Sequence, residues 1–173
     1  VDIRRDLHSH PEVGMHEFRT QELIISELEK LNCYQITKSF GTGVVALIKG
    51  KKDISNNKCI GLRADIDALG IEDLKEVSYK SQNKGACHAC GHDMHTTTLL
   101  GVAKVLAKIQ EDFSGYVKLF FQPAEETDGG AEPMIKEGHL ENPHVDAMLG
   151  IHVTDSYNVG EVRFCYDTMQ AYS

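Results

Sequence analysis

The run Cys87-His88-Ala89-Cys90-Gly91-His92-Asp93-Met94-His95 brings thiol, imidazole and carboxylate groups together in one short stretch. Such donors suit a borderline-soft ion such as zinc, or another first-row divalent metal. Plainer readings are a reduced pair of buried cysteines or a surface run of histidines. Cys87 and Cys90 also make a C-x-x-C pair ahead of a predicted helix, as in dithiol redox proteins, whereas Gly91 interrupts the C-x-x-C-H that haem attachment requires. A closed structural zinc site is another alternative, but it wants four ligands and no spare carboxylate nearby. The redox reading leaves three other fragments of the chain without a role.

The first of these is Gln122-Pro123-Ala124-Glu125-Glu126, two carboxylates directly after an apolar segment. At a turn, one glutamate can bind an ion while the other reaches a water that the ion activates. Hydrolysis needs that division of labour: the ion lowers the pKa of water, and the carboxylate takes the proton and returns it to the leaving amine. Seen alone, paired glutamates are commonly an exposed charged turn, but here Gly129-Gly130 follows and an apolar strand precedes. The second fragment is Gly150-Ile151-His152-Val153, whose histidine ends an apolar run, where a lone histidine is more often a hydrogen-bonded core residue than a ligand. In the third, Arg63-Ala64-Asp65-Ile66-Asp67, the two-residue period of a strand puts both aspartates on one face, where they can bind metal or orient a ligand histidine.

Positioning these groups requires a scaffold, and the apolar periodicity switches repeatedly between about 3.6 and 2, which means α/β. Glu17 to Leu31 places Phe18, Leu23, Ile24, Leu28 and Leu31 on one helical face, a core-facing stripe. Gly43 to Ile48 and Cys59 to Ile66 read as a hairpin or adjacent strands turning at Asn56-Asn57. A second helix is predicted from His95 to Ile109, through Leu99, Leu100, Val102, Ala103, Leu106 and Ala107. Tyr116 to Phe121 is a buried strand and Ala131 to Glu137 a short helix capped by Gly138. Asp146 to Val153 and Gly160 to Cys165 are further strands. Ligands in α/β sheets gather at strand ends, where Asp65, Glu125 and His152 fall.

With 173 residues, 41% of them hydrophobic and 25% charged, the chain can bury the core of one domain. Twenty-six acidic against 18 basic residues give a net charge of -8, and no basic run interleaved with aromatics is present, so nucleic acid is not an expected partner. Apolar stretches fall short of the roughly 20 residues of a membrane span. Five cysteines, an odd number, argue against a disulfide framework and for a reducing, cytoplasmic setting. The chain opens at Val1 without a signal-like segment, and a targeting sequence ahead of it stays open.

Five ordered motifs together resemble the M20 metallopeptidase family, in its aminoacylase-like amidohydrolase branch of hippurate hydrolases, auxin-conjugate hydrolases and N-acetyldiaminopimelate deacetylases. They are Arg4-Arg5-Asp6-Leu7-His8 with His10-Pro11-Glu12, Gly61 to Leu69, His88 to Asp93, Phe121 to Glu126, and Gly150 to Val153. The resemblance implies two divalent ions (Zn, Mn, Co or Ni) with Cys90 bridging, His92, Glu126 and His152 as further ligands, and Glu125 as general base. Asp65 and Asp67 are expected behind the ligands, and His10 and Glu12 in structural roles. It also implies a partial three-layer α/β fold of the zinc-peptidase kind, with helices on both faces of a mixed sheet. The expected substrate is an N-acyl amino acid or a related peptide-like amide, and the expected assembly a homodimer or other homo-oligomer. The alternative is a metal-binding or interaction fragment without turnover. Gly70 departs from the proline usual in the family. Family chains are also longer, with an inserted dimerisation or lid domain and a later ligating histidine, so residues 1–173 are expected to be the N-terminal portion of the catalytic domain.

Overall fold

The computed structural model describes residues 1–53, 55, 57–127 and 129–164. Nine elements follow in order: α1 (Asp2–Ser9), α2 (Phe18–Glu29), β1 (Gln35–Ser39), β2 (Gly43–Lys49), β3 (Cys59–Asp65), α3 (His92–Lys108), β4 (Tyr116–Gln122), α4 (Ala131–Lys136) and β5 (Ala147–Gly150). The five strands form one mixed sheet in the order β1-β2-β4-β3-β5. Strand β2 is antiparallel to both of its neighbours, β1 and β4, while β4, β3 and β5 run parallel. The α/β class expected from the alternating periodicity is therefore correct.

Gly43 to Ile48 and Cys59 to Ile66 do not form a hairpin. Strand β4 lies between them, pairing Val44 with Phe121 on one side and Ala64 with Phe121 on the other. The reason is topological: β3 and β4 are joined by a crossover that contains α3, and such a connection makes the two strands parallel neighbours. Of the predicted Asn56-Asn57 turn, Asn56 lies outside the described residues.

Most of the core lies on the face covered by α1, α2 and α3. Ile24 and Leu28 from α2, and Leu99, Leu100 and Ala103 from α3, pack against Val44, Ala46, Ala64, Leu119 and Phe121 of the sheet. Burying a side chain the size of Leu or Phe contributes about 1.5–3 kcal/mol relative to leaving it in water, so this cluster holds the layers together. Phe18 does not join it and is 57% exposed. It is the first residue of α2, where the helix has not yet turned its apolar stripe onto the sheet. The opposite face carries a thinner layer, in which Met134 of α4 packs on Val45 and Phe120 with Leu140 and Val145 alongside. Lys118 points into that layer, and its ammonium donates to the carbonyls of His139, Glu141 and Pro143. Three donors find three acceptors, so the buried charge ties this loop to the sheet.

Helix α1 and strand β1 escape prediction from apolar period because their buried positions are few: His8 and Ser9 share the inner face of α1 with Leu7, and only Ser39 is buried in β1. Helix α3 starts at His92 rather than His95, and β5 stops at Gly150, so His152 sits in the loop beyond the strand. Residues 161–164 take no regular structure where a strand was expected, and Cys165 lies outside the described residues. Helix α4 ends as predicted, with Gly138 at φ 83°. Glu12 has a structural task. Its carboxylate accepts the backbone N–H groups of Arg19 and Thr20, two donors that the first turn of α2 leaves unpaired. No helix among the described residues is long and apolar enough to cross a membrane.

Candidate metal centre

Strands β3, β4 and β5 run parallel, so their C-terminal ends reach the same edge of the sheet, and the N-terminus of α3 meets them there. Asp65 ends β3, Glu125 and Glu126 follow β4, His152 follows β5, and His92 opens α3. The close approach rests on Gly91, which has φ 91°. A Cβ at that position would stand 2.5 Å from the Val153 side chain, so only glycine lets the His152 loop lie against the start of the helix.

His92 is the hub. Candidate ligand atoms of Cys90, His92 and His152 lie within 4.8 Å of one another, and so do those of His92, Glu125 and Glu126. His92 Nδ1 faces the Asp67 carbonyl at 3.0 Å and its carboxylate at 3.2 Å. Both are acceptors, so Nδ1 carries the proton and a neutral ring presents a lone pair at Nε2. The same holds for His152: Nδ1 donates to the Val153 carbonyl at 2.6 Å, and Nε2 lies 3.4 Å from Cys90 Sγ. Both rings thus take the tautomer that a metal ligand needs, held by an acceptor behind it.

What these atoms face fits a cation. His92 Nε2 and Glu126 Oε1 are buried without a hydrogen-bond partner, and Asp65 Oδ2 beside them pairs with the Arg63 guanidinium. Nε2 is 3.6 Å from the aspartate oxygen and 3.7 Å from the glutamate oxygen. Those distances are too long for hydrogen bonds but near the separation of about 3.3–3.5 Å between neighbouring N or O ligands around a tetrahedral ion. Burial works against a charged His92, yet the hydrogen bond it donates to Asp67 and the charges of Asp65, Asp67 and Glu126 raise its pKa. The carboxylates therefore favour positive charge at Nε2. Burial, followed by Glu126, Asp65 and Glu125, pushes the Cys90 thiol up to about 12. Without a cation the thiolate is disfavoured, and a bound metal ion reverses that preference by displacing the proton. Burial and the adjacent Glu126 likewise raise the Glu125 pKa.

Asp65 and Asp67 touch the same group. Asp67 Oδ2 accepts the Glu126 N–H at 2.9 Å while its other oxygen faces His92. Asp65 accepts from His95 Nδ1 at 2.6 Å through Oδ1 and meets the Arg63 guanidinium at 2.8 Å through Oδ2. The two cysteines of the C-x-x-C pair are free and have different surroundings: Cys90 faces His152, whereas Cys87 faces Lys75 at 4.0 Å.

Two contributors escaped sequence reasoning. His95 donates from Nδ1 to Asp65 and accepts the Val153 N–H at Nε2, 2.9 Å away. Both nitrogens are engaged, so it ties the His152 loop to β3, a job signalled only by its i+3 spacing from His92. Glu17, fully buried, accepts the Ala124 N–H at 2.8 Å and the Thr42 hydroxyl. Ala124 has φ 51°, a strained backbone directly before the glutamate pair. Burial raises the Glu17 pKa against the hydrogen bonds from Thr42 and Ala124. Replacing Glu17 with Ala strands both donors and is expected to cost about 2–4 kcal/mol of stability. Gln retains an acceptor for Ala124 and should keep most of that stability. Urea unfolding of both variants checks this, and equal losses would show that Glu17 does not hold the turn.

A mixed sheet whose parallel strand ends surround a Cys/His/carboxylate cluster defines the class, and comparison with known proteins gives the family. Residues 61–166 match the model of Peptidase family M20/M25/M40, and the chain belongs to this family. It is 43% identical over 162 residues to IAA-amino acid hydrolase ILR1-like 4 of Arabidopsis thaliana, spanning 94% of this chain and 36% of that protein. N-acetyl-L-cysteine deacetylase of Bacillus subtilis is 42% identical over 162 residues, 94% of this chain and 38% of that one. Among solved structures, the Bacillus subtilis YXEP protein, described as a dinuclear metal-binding peptidase of the M20 family, superposes with a TM-score of 0.82 at 38% identity. That match covers 90% of this chain and 42% of the other. The chain thus spans about two fifths of the length of these relatives.

Proposed function

We propose that residues 1–173 form the N-terminal portion of the catalytic domain of a divalent-metal-dependent amidohydrolase that cleaves N-acyl amino acids. The observation that carries this reading is the convergence of His92 Nε2 and Glu126 Oε1, two buried atoms without a hydrogen-bond partner, with Asp65 Oδ2 standing 3.6 Å from the same nitrogen. Cys90, His92, Glu126 and His152 are assigned as ligands of a two-ion centre, with Cys90 between the ions. Asp67 orients His92 and fixes the Glu126 backbone, while Asp65 holds His95 and through it the His152 loop. Bound ions would supply Lewis-acid polarisation of the substrate carbonyl and activation of water.

Glu125 is assigned as the base that takes the proton of the attacking water and delivers it to the departing amine. Its raised pKa makes it a stronger base toward water, while its protonated form stays acid enough to protonate a departing amine. Arg63, paired with Asp65 and donating to Gln122 at 2.8 Å, keeps a positive charge beside the carboxylates. The relatives named as an IAA-amino acid hydrolase and an N-acetyl-L-cysteine deacetylase support small N-acyl amino acids as the substrate class.

The test is amine release from N-acetyl, N-benzoyl and longer-acyl amino acids by the protein carrying this chain at the length of its relatives, loaded with Zn, Mn, Co or Ni. Chelation should reduce turnover to background and the added ion should restore it. Turnover that survives complete chelation would overturn the reading.

A further inference from the structure

A second cluster of donors lies apart from His92 and is not used by the proposed chemistry. We propose that His8, Asp73 and Cys87 form a separate buried site for one borderline-soft divalent cation of the zinc type, tying α1 to the long connection between β3 and α3. The inference does not depend on the hydrolase reading, since none of these three residues serves that centre.

The three side chains come from α1, from the middle of the connection and from its end, and their residues are 1%, 2% and 3% exposed. One donor atom from each lies within 4.8 Å of the other two. His8 Nδ1 stands 2.7 Å from Asp93 Oδ2. Asp93 also pairs with Arg4 at 2.9 Å, so this carboxylate accepts and the ring proton sits on Nδ1. A neutral His8 therefore directs its Nε2 lone pair at Asp73 Oδ2, 3.6 Å away, and that nitrogen is buried with no hydrogen-bond partner. A lone pair facing a carboxylate oxygen repels it unless positive charge lies between them, either a proton on Nε2 or a metal ion.

Three features favour the metal. First, the donors are one nitrogen, one oxygen and one sulfur, a set suited to zinc and ill suited to calcium or magnesium. Second, the His8 to Asp73 separation is close to the edge of a tetrahedron built on zinc–ligand bonds of about 2.0–2.2 Å. Third, the supports behind the ligands are in place. Asp93 backs His8 in the carboxylate–histidine arrangement that fixes a ligand tautomer, and Asp73 is held by the N–H groups of Lys75 and Ser81.

Lys75 marks the way in. Its side chain is half exposed, and its ammonium lies 3.9 Å from Asp73 and 4.0 Å from Cys87 Sγ. It can swing to solvent as the ion enters. Loss of the thiol proton then gives two anionic ligands, which balance a divalent charge. The connection from residue 66 to residue 91 contains no helix or strand, and its middle already meets the end of α1 through the Gln82 N–H on the Ser9 carbonyl and the Ser9 hydroxyl on the Tyr79 carbonyl. A cross-link from its middle and its end to α1 would be a large local stabilisation for so irregular a segment.

Cobalt titration with Cys90→Ser and His152→Ala both present, which removes two ligands of the first centre, tests the proposal. One equivalent of cobalt should bind with thiolate-to-cobalt charge-transfer absorption. Adding Cys87→Ser should abolish that absorption, and Asp73→Asn or His8→Gln should weaken binding roughly tenfold or more. No cobalt bound by that chain while its circular dichroism stays native, or absorption that survives Cys87→Ser, would overturn the site and leave a proton as the occupant. Should that chain fail to fold, zinc content of the unsubstituted protein decides: Cys87→Ser should remove one equivalent and leave the rest, and an unchanged content would overturn the site.

Discussion

Replacing Glu125 with Gln is expected to lower turnover by about 10²–10⁴-fold, the range spanned by general acid–base catalysis, with metal content unchanged. Gln keeps the size and the carbonyl oxygen of the side chain but can neither take a proton from water nor return one to an amine. Glu125 and Glu126 are adjacent in sequence, yet the strained turn at Ala124 lets both bring oxygens within 4.8 Å of His92. Their surroundings differ. Glu126 is held by Asp67 through its own N–H and has an oxygen buried without a partner, whereas Glu125 is the more exposed of the two. Glu126→Gln should therefore lose metal along with rate, and Glu125→Gln should lose rate alone. Single-turnover kinetics and metal analysis on both proteins make the comparison, and a Glu125→Gln enzyme that keeps most of its rate would remove it as the base.

The motifs were legible because each pairs a chemical group with a recognisable local context. Asp65 ends an apolar strand, Glu125 and Glu126 follow another, and His92 sits where a helix begins. Strand order was not legible. Nothing local to Gly43–Ile48 or Cys59–Ile66 reveals that β4, from far along the chain, lies between them, because pairing is decided by the crossover through α3 and by burial on both faces. Glu17 and His95 were missed for a related reason. Their roles are defined by partners distant in sequence, Ala124 for one and Asp65 with Val153 for the other. Periodicity shows that a residue faces inward but not what it meets there. For His8 this matters most, since a helix of mostly polar composition gives no hint that its inner face carries an imidazole aimed at Asp73 and Cys87.

Cys90→Ser should have the largest effect on metal content. A serine hydroxyl is a far poorer anionic ligand than a thiol, and the burial and the carboxylates of Glu126, Asp65 and Glu125 that already disfavour a thiolate here would disfavour an alkoxide more. The thiolate can form only if an ion offsets those charges, so ligand and metal depend on each other. Under the proposed bridging role of Cys90, its loss would weaken both sites. Substitution of a residue that binds one ion, such as His152→Ala, should leave the other more nearly intact. The expected order of metal lost at the first centre is Cys90→Ser, then His152→Ala, while Cys87→Ser should leave this centre loaded because Cys87 faces Lys75 and Asp73 instead. Metal analysis after dialysis against a weak chelator ranks the three. If Cys90→Ser retained as much metal as His152→Ala, the thiol would be an ordinary ligand of one ion and the bridging assignment would fail.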